Sequence, residues 1–411
     1  MRRALPERLV ARWGAGVRII PFIAIVYLLL AYGVYSAFTS RIPSGNDFYP
    51  RWRGTQALVV EGRDPYSEEV TLDIQQGMYG RPAREDEDQV GFAYPLYVSF
   101  LLLPFALLPY PLAQALWVSA LILTILAALL VMLRTVEWHP SPTGLVSLAL
   151  WSVLFYPSAR SIILGQISIV VLALLALALW ALEERHEALA GCLLAASTIK
   201  PQMIFLIVPF LLLVSLRRGA RKTFVTFLCT MVVLVSFCLI VLPSWIPSFL
   251  TGLSSYQSYT SIYREGNSPL GVMFAYLLPS GLAVPVAGLA SIALVACLAC
   301  TWIVSIRQQT NTYQTLFLTI AITLLIPAQT GTTNQVLLLL PIVYLLAQYP
   351  GNRVIHLAMP SLLLVGPWLL FLLSFAASQG EHALMSVPLP VLTLAVLPWT
   401  AQQAHIGVES S

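Results

Sequence analysis

The sequence predicts an all-α polytopic membrane protein. Of its 411 residues 58% are hydrophobic and only 10% are charged, a balance found in chains that live in lipid. The apolar residues also gather into about a dozen runs of near membrane length, since a bilayer core of roughly 30 Å takes about 20 helical residues at about 1.5 Å each. Runs such as Val171 to Trp180 lack the apolar–polar alternation of a membrane barrel strand, so the spans are expected to be helices. The whole chain, 1–411, reads as one integral membrane domain.

At the N-terminus Arg2, Arg3, Arg8, Arg12 and Arg18 stand against Glu7 alone, ahead of an apolar run from Ile19 to Phe38. This pattern reads as an uncleaved signal anchor with its cations held inside, and it accounts for the net charge of +4 as topology. Nucleic acid is therefore not an expected partner. A first helix over about 18–39 exits the membrane, and residues 40–110 form a large first external loop with re-entrant or juxtamembrane helices. Within it, Pro95, Pro104 and Pro109 bracket an apolar stretch of about fourteen residues, roughly 21 Å as helix and too short to cross.

Further spans are expected at about 111–133, 144–158 and 166–182, the last returning to Glu183-Glu184-Arg185-His186-Glu187. Residues 188–216 are interrupted by Lys200-Pro201-Gln202, and one helix there would place Arg217, Arg218, Arg221 and Lys222 outside. A hairpin of two short helices turning at Lys200 keeps those cations inside instead. Spans at about 223–242, 282–304, 312–327, 335–349, 354–376 and 387–400 complete a bundle of about twelve, with residues 244–270 as a second external loop. Cys192, Cys229, Cys238, Cys297 and Cys300 all fall in apolar segments, so no disulfide framework is expected. The five histidines are scattered without metal-ligand spacing, and neither a metal nor any other cofactor is expected.

Ten of the eighteen Asp and Glu residues lie between positions 40 and 92. Asp47 is the sharpest of them, close beyond the first helix with Tyr49 and Trp52 nearby. Its carboxylate could take a proton from an attacking hydroxyl, or cap a helix beginning at Phe48. The turn Glu61-Gly62-Arg63-Asp64-Pro65-Tyr66 reads as scaffolding, and Glu85-Asp86-Glu87-Asp88 as a solvated loop or a divalent-cation contact.

Lys200, one of two lysines, is costly inside a membrane unless an anion lies near it; a lipid phosphate or an outer-loop carboxylate would serve, as would snorkelling to the surface. Arg160 is a second candidate cation for a phosphate. Gln166, Gln202, Gln329 and Asn334 sit at predicted outer helix ends, where amides hold sugar hydroxyls or bond helix to helix. Tyr94, Trp52 and Tyr256 could stack on a sugar ring or belong to the interfacial aromatic belt.

Five segments in order, Asn46-Asp47-Phe48, Gly62-Arg63-Asp64-Pro65-Tyr66, Phe92-Ala93-Tyr94-Pro95, Gly165-Gln166 and Ile199-Lys200-Pro201-Gln202, resemble glycosyltransferase family 87 across roughly residues 40–222. Residues beyond 222 add only hydrophobicity to the likeness. Leu96 stands where the family often has a second proline. The resemblance implies a GT-C-like bundle and an inverting hexosyltransferase, mannose being the typical sugar, fed by a polyprenyl-phosphate-linked donor and acting on a lipid or glycan acceptor. It implies an active site on the extracytoplasmic face of the plasma (inner) membrane, with membrane lipids as surroundings and Asp47 as base. Lys200 and Arg160 would then meet the donor phosphate, and Tyr49, Trp52, Tyr94, Gln166, Gln202 and Tyr256 the substrates. A transporter or flippase of lipid-linked sugar, or a ligase or polymerase of surface polysaccharide, are the rival readings.

Overall fold

The computed structural model describes residues 5–41, 47–85, 87–259, 268–308, 312–328, 330–349, 352, 354–378 and 380–395, with backbone alone at 5–19, 253–259, 280, 354 and 378. Helices account for nearly all regular structure, and no strand occurs among the described residues. Helix α1 (Leu5–Val34) loosens into a π turn over Tyr35–Thr39. Its outer face is apolar and open, with Ile20, Phe22, Leu28 and Leu29 exposed, as lipid contact requires.

Two helices occupy the predicted first external loop, α2 (Phe48–Val59) and α3 (Glu68–Tyr79). The start of α3 is set by Ser67, whose side chain accepts from the Val70 amide, with Glu68 and Glu69 in the positive first turn; Gly80 ends it at φ 70°. Arg53 ties the two together, holding Glu61 at 2.6 Å and Asp73 at 2.7 Å. The turn between them is a scaffold: the Asp64 carboxylate accepts the Tyr66 amide at 2.8 Å and the Tyr66 hydroxyl donates to the Tyr94 carbonyl at 2.6 Å. The proline-bracketed stretch forms α4 (Val98–Ala106), nine residues or about 14 Å.

Helix α5 (Tyr110–Thr135) is the central post, about 39 Å long, to which Thr39 and Tyr27 fasten the first helix through the carbonyls of Pro111 (2.7 Å) and Leu116 (3.1 Å). The span expected at 144–158 is instead two pieces, α6 (Pro142–Leu154) and α7 (Tyr156–Ile163), bent by 58°. Pro157 causes the break: it lacks an N–H to continue the ladder and is tolerated only in the first turn of a new helix, which Phe155 enters with an extended backbone. Then follow α8 (Ser168–Glu183), α9 (Glu187–Ser197), α10 (Ile207–Arg217), α11 (Arg221–Val241), α12 (Trp245–Tyr259), α13 (Pro269–Leu277), α14 (Ser280–Gln308), α15 (Thr312–Thr323), α16 (Leu339–Gln348) and α17 (Met359–Ser378).

Between α9 and α10 the chain turns through a short 3-10 segment, Pro201–Met203. Both free ends of this pair meet one polar rim: the Glu187 carboxylate accepts the Lys222 amide at 3.3 Å, Arg218 lies 3.6 Å from Glu183, and Arg134 lies 3.5 Å from Glu184. Lys200 reaches the opposite end of α8, where Ser168 begins a helix of 16 residues, about 24 Å from that rim. Residues 188–216 are thus a hairpin, and its tip stops short of a full bilayer thickness.

Five described helices are long and apolar enough to cross a membrane, or six if the bent pair is one span. The other stretches expected as spans are shorter apolar helices such as Ser168–Glu183, Thr332–Gln348 and Ala383–Ala395, the last described only to residue 395. Several of them end in turns at one polar cavity. Non-helical backbone at membrane depth is tolerated where it lines such a space rather than lipid, which explains why these helices need not run the full thickness.

Candidate active site

A cavity of about 650 Å³ opens where the first loop, the α7–α8 turn, the α9–α10 tip and the segments 327–334 and 380–386 converge. Asp47, Tyr94, Arg160, Gln166, Lys200 and Gln202 all line it. Gly165 fixes this convergence. It sits at φ +65°, and a Cβ there would lie 2.7 Å from the Phe48 Cβ, so only glycine lets the turn pack against the start of α2. The Gly165 carbonyl accepts the Trp117 indole N–H at 2.9 Å, and the turn delivers Gln166 into the cavity wall.

Gln166 is the hub. Its amide nitrogen donates to Asp47 Oδ2, while its Oε1 accepts from Lys200 Nζ at 3.0 Å and from Arg51 Nη2 at 3.1 Å. Chemistry fixes this orientation, because reversing the amide would set an oxygen against the carboxylate and an N–H₂ against two cations. Asp47 precedes α2 with helical backbone angles and makes no side-chain capping bond, so its carboxylate is directed to Gln166 rather than to the helix end.

Lys200 is 3% exposed, held by Gln166 and by Ser168 Oγ at 2.8 Å. Ser168 Oγ in turn donates to Asn334 Oδ1 at 3.2 Å. An ammonium has three protons, and two are placed on neutral oxygens. Among the described residues Lys200 forms no ion pair and Gln166 stands between it and Asp47; burial disfavours its charged form, which an anion entering the cavity would favour. Arg51 is 4% exposed; its guanidinium donates to the Tyr94 hydroxyl at 2.5 Å and lies 4.4 Å from the Tyr94 ring centre. Burial pushes the Tyr94 phenol up, so it stays protonated beside Arg51 at neutral pH.

Arg160 is placed differently. Its Nε donates to Glu381 at 2.8 Å, and the other Glu381 oxygen accepts the Thr332 hydroxyl. Its charge is therefore matched by a carboxylate that also lines the cavity. Tyr49 and Trp52 do not line the cavity: Tyr49 packs edge-on against Tyr110 at 4.8 Å, and the Trp52 indole donates to the carbonyls of Phe105 (3.1 Å) and Leu108 (3.2 Å). The Tyr256 side chain, Asp86 and Gln329 lie outside the described residues. Glu87 pairs with Arg81 at 2.6 Å.

Arg51, Ser168, Glu381 and His382 are cavity-associated groups that sequence reasoning passed over. Arg51 had a signal: four residues after Asp47, it shares a face of a helix starting there. Glu381 had one too, as an isolated carboxylate in an apolar third of the chain.

The family model for glycosyltransferase family 87 matches residues 92–328, more than half of the chain. No curated protein and no solved structure matches. The matched interval contains Tyr94, Arg160, Gln166, Lys200 and Gln202, leaves Asp47 and Arg51 before it and Glu381 after it, and extends well past residue 222, where hydrophobicity alone was expected.

Proposed function

Since the chain belongs to glycosyltransferase family 87, we propose that it is a membrane-embedded inverting enzyme that moves a hexose, in the first instance mannose, from a polyprenyl phosphate to a lipid or glycan acceptor. The observation that carries this reading is Gln166 standing between one carboxylate and two buried cations at the wall of a 650 Å³ cavity. A sugar phosphate needs such a divided site. One end must accept a proton while the other receives negative charge.

In the proposed reaction the Asp47 carboxylate takes the proton of an acceptor hydroxyl as that oxygen attacks the anomeric carbon. The bond from that carbon to the phosphate oxygen breaks, its electron pair leaves with the polyprenyl phosphate, and configuration inverts. Lys200 and Arg51 stabilise the departing anion; Arg51 takes the part expected of Arg160, whose charge Glu381 already matches. Gln166 is a positioning residue here. It holds the Asp47 carboxylate by a hydrogen bond and keeps it out of a direct ion pair with Lys200 or Arg51. The positive-inside reading of the polar rim supports a cavity on the extracytoplasmic side of the plasma membrane.

The test is transfer from a radiolabelled polyprenyl-phosphate hexose to membrane-lipid acceptors by purified protein. Asp47→Asn should reduce the rate by about 10²–10⁴-fold, the usual worth of a general base, with thermal stability unchanged. Transfer by the variant at the wild-type rate would remove Asp47 from the chemistry.

A further inference from the structure

The cavity has a second wall that the transfer step leaves unused. It is built by the entry into the 3-10 stretch Thr332–Leu338 and by residues 380–382, with Glu381 at its centre. One Glu381 oxygen receives Arg160 and the other receives Thr332, each with capacity for a further donor, and the Glu381 side chain is 18% exposed at the cavity. The segment is pinned from behind: the His382 amide donates to Ser374 Oγ at 2.7 Å, and the His382 ring lies 3.0 Å from the Tyr276 hydroxyl.

This wall differs in charge from the first. Arg160 and Glu381 together are formally neutral, so the pair offers no net attraction to a phosphate. It does offer carboxylate oxygens for O–H donors beside guanidinium N–H groups for O–H acceptors, the complement of adjacent hydroxyls. Resting on the sugar-transfer reading, we propose that Glu381, with Arg160 and Thr332, forms the acceptor subsite, and that the group held there is uncharged and hydroxyl-rich, a sugar or polyol. An anionic head group would lie against the Glu381 carboxylate and lose affinity. Arg160 and Gln166 belong to one segment whose turn is closed by a hydrogen bond from the Gln166 backbone amide to the Ser161 carbonyl at 2.8 Å, so an acceptor anchored at Glu381 can present a further hydroxyl to Asp47. Glu381 and Thr332 both lie beyond residue 328, outside the residues that the family model matches.

Protein reconstituted in phospholipid nanodiscs can be titrated with two probes, a fluorescent alkyl hexoside as neutral acceptor mimic and farnesyl phosphate as anionic donor mimic. Glu381→Gln should weaken the hexoside about tenfold or more, as loss of charge-assisted hydrogen bonds does, and leave farnesyl phosphate bound no more weakly, since it frees the Arg160 charge. Thr332→Val keeps the ion pair and should weaken the hexoside alone, which preserves the test if Glu381→Gln folds poorly. Equal hexoside affinity in wild type and both variants, or an equal loss of both probes in Glu381→Gln, would overturn the assignment. Failure of the donor reading registers separately, as farnesyl phosphate binding indifferent to Lys200→Met.

Discussion

The two walls of the cavity hold the same kinds of groups in opposite arrangements. On the first, Gln166 separates Asp47 from Lys200 and Arg51; on the second, Arg160 and Glu381 touch directly. Direct contact satisfies both charges and leaves a neutral hydrogen-bonding surface. Separation leaves a carboxylate able to take a proton and cations able to receive an anion, at the cost of burying charge without an ionic partner. The difference teaches where chemistry is expected: charges a protein keeps apart are kept for something else to pair with.

Removing the first wall's ammonium should have the largest effect on the contrast. Lys200→Met is expected to lower transfer by about 10²–10³-fold, the scale seen when one donor to a developing anion is lost, and to weaken farnesyl phosphate; Lys200→Arg should retain part of both. Steady-state kinetics with donor titration measure this, and equal behaviour of the two variants would argue against an anion site.

Gln166→Glu converts the separator into a third charge and sharpens the comparison. A carboxylate there pairs with Lys200 and Arg51, and this partial neutralisation should raise the donor KM, while loss of the hydrogen bond to Asp47 lowers kcat. A variant that is merely misfolded would lose kcat with the donor KM unchanged.

Much of the first wall was legible in the sequence because its residues are polar where their neighbours are not. Gln166, Lys200 and Gln202 stood out on that ground, Asp47 as an acid just beyond the first helix and Tyr94 as an aromatic, and all line one cavity. Tyr49 and Trp52 were read beside Asp47 along the chain, but they share a face of α2 that packs on Tyr110 and α4. Aromatic residues near an acid look the same in sequence whether they stack on sugar or pack a helix. The second wall was hidden for another reason: Arg160 and Glu381 are 221 positions apart, and nothing local to either announces the pairing. The same logic applies to span length, since an apolar run shows that a helix is buried but not that a polar cavity cuts it short, as at Ser168 and Thr332.

The smallest expected effect concerns how the first wall is held. Gly165→Ala forces a side chain into a positive-φ turn and against Phe48, and should cost about 1–3 kcal/mol of stability, with reduced transfer as the Gln166 turn shifts. Thermal unfolding in nanodiscs reads it. A variant as stable as wild type would mean that the turn has room the close approach of Phe48 denies.

The most direct test measures donor binding and transfer in parallel on Asp47→Asn and Lys200→Met. If the two groups serve one cavity as base and anion receptor, Asp47→Asn binds farnesyl phosphate as wild type does while transfer is lost, and Lys200→Met loses both. Donor binding lost with Asp47 and retained without Lys200 would contradict that division of labour.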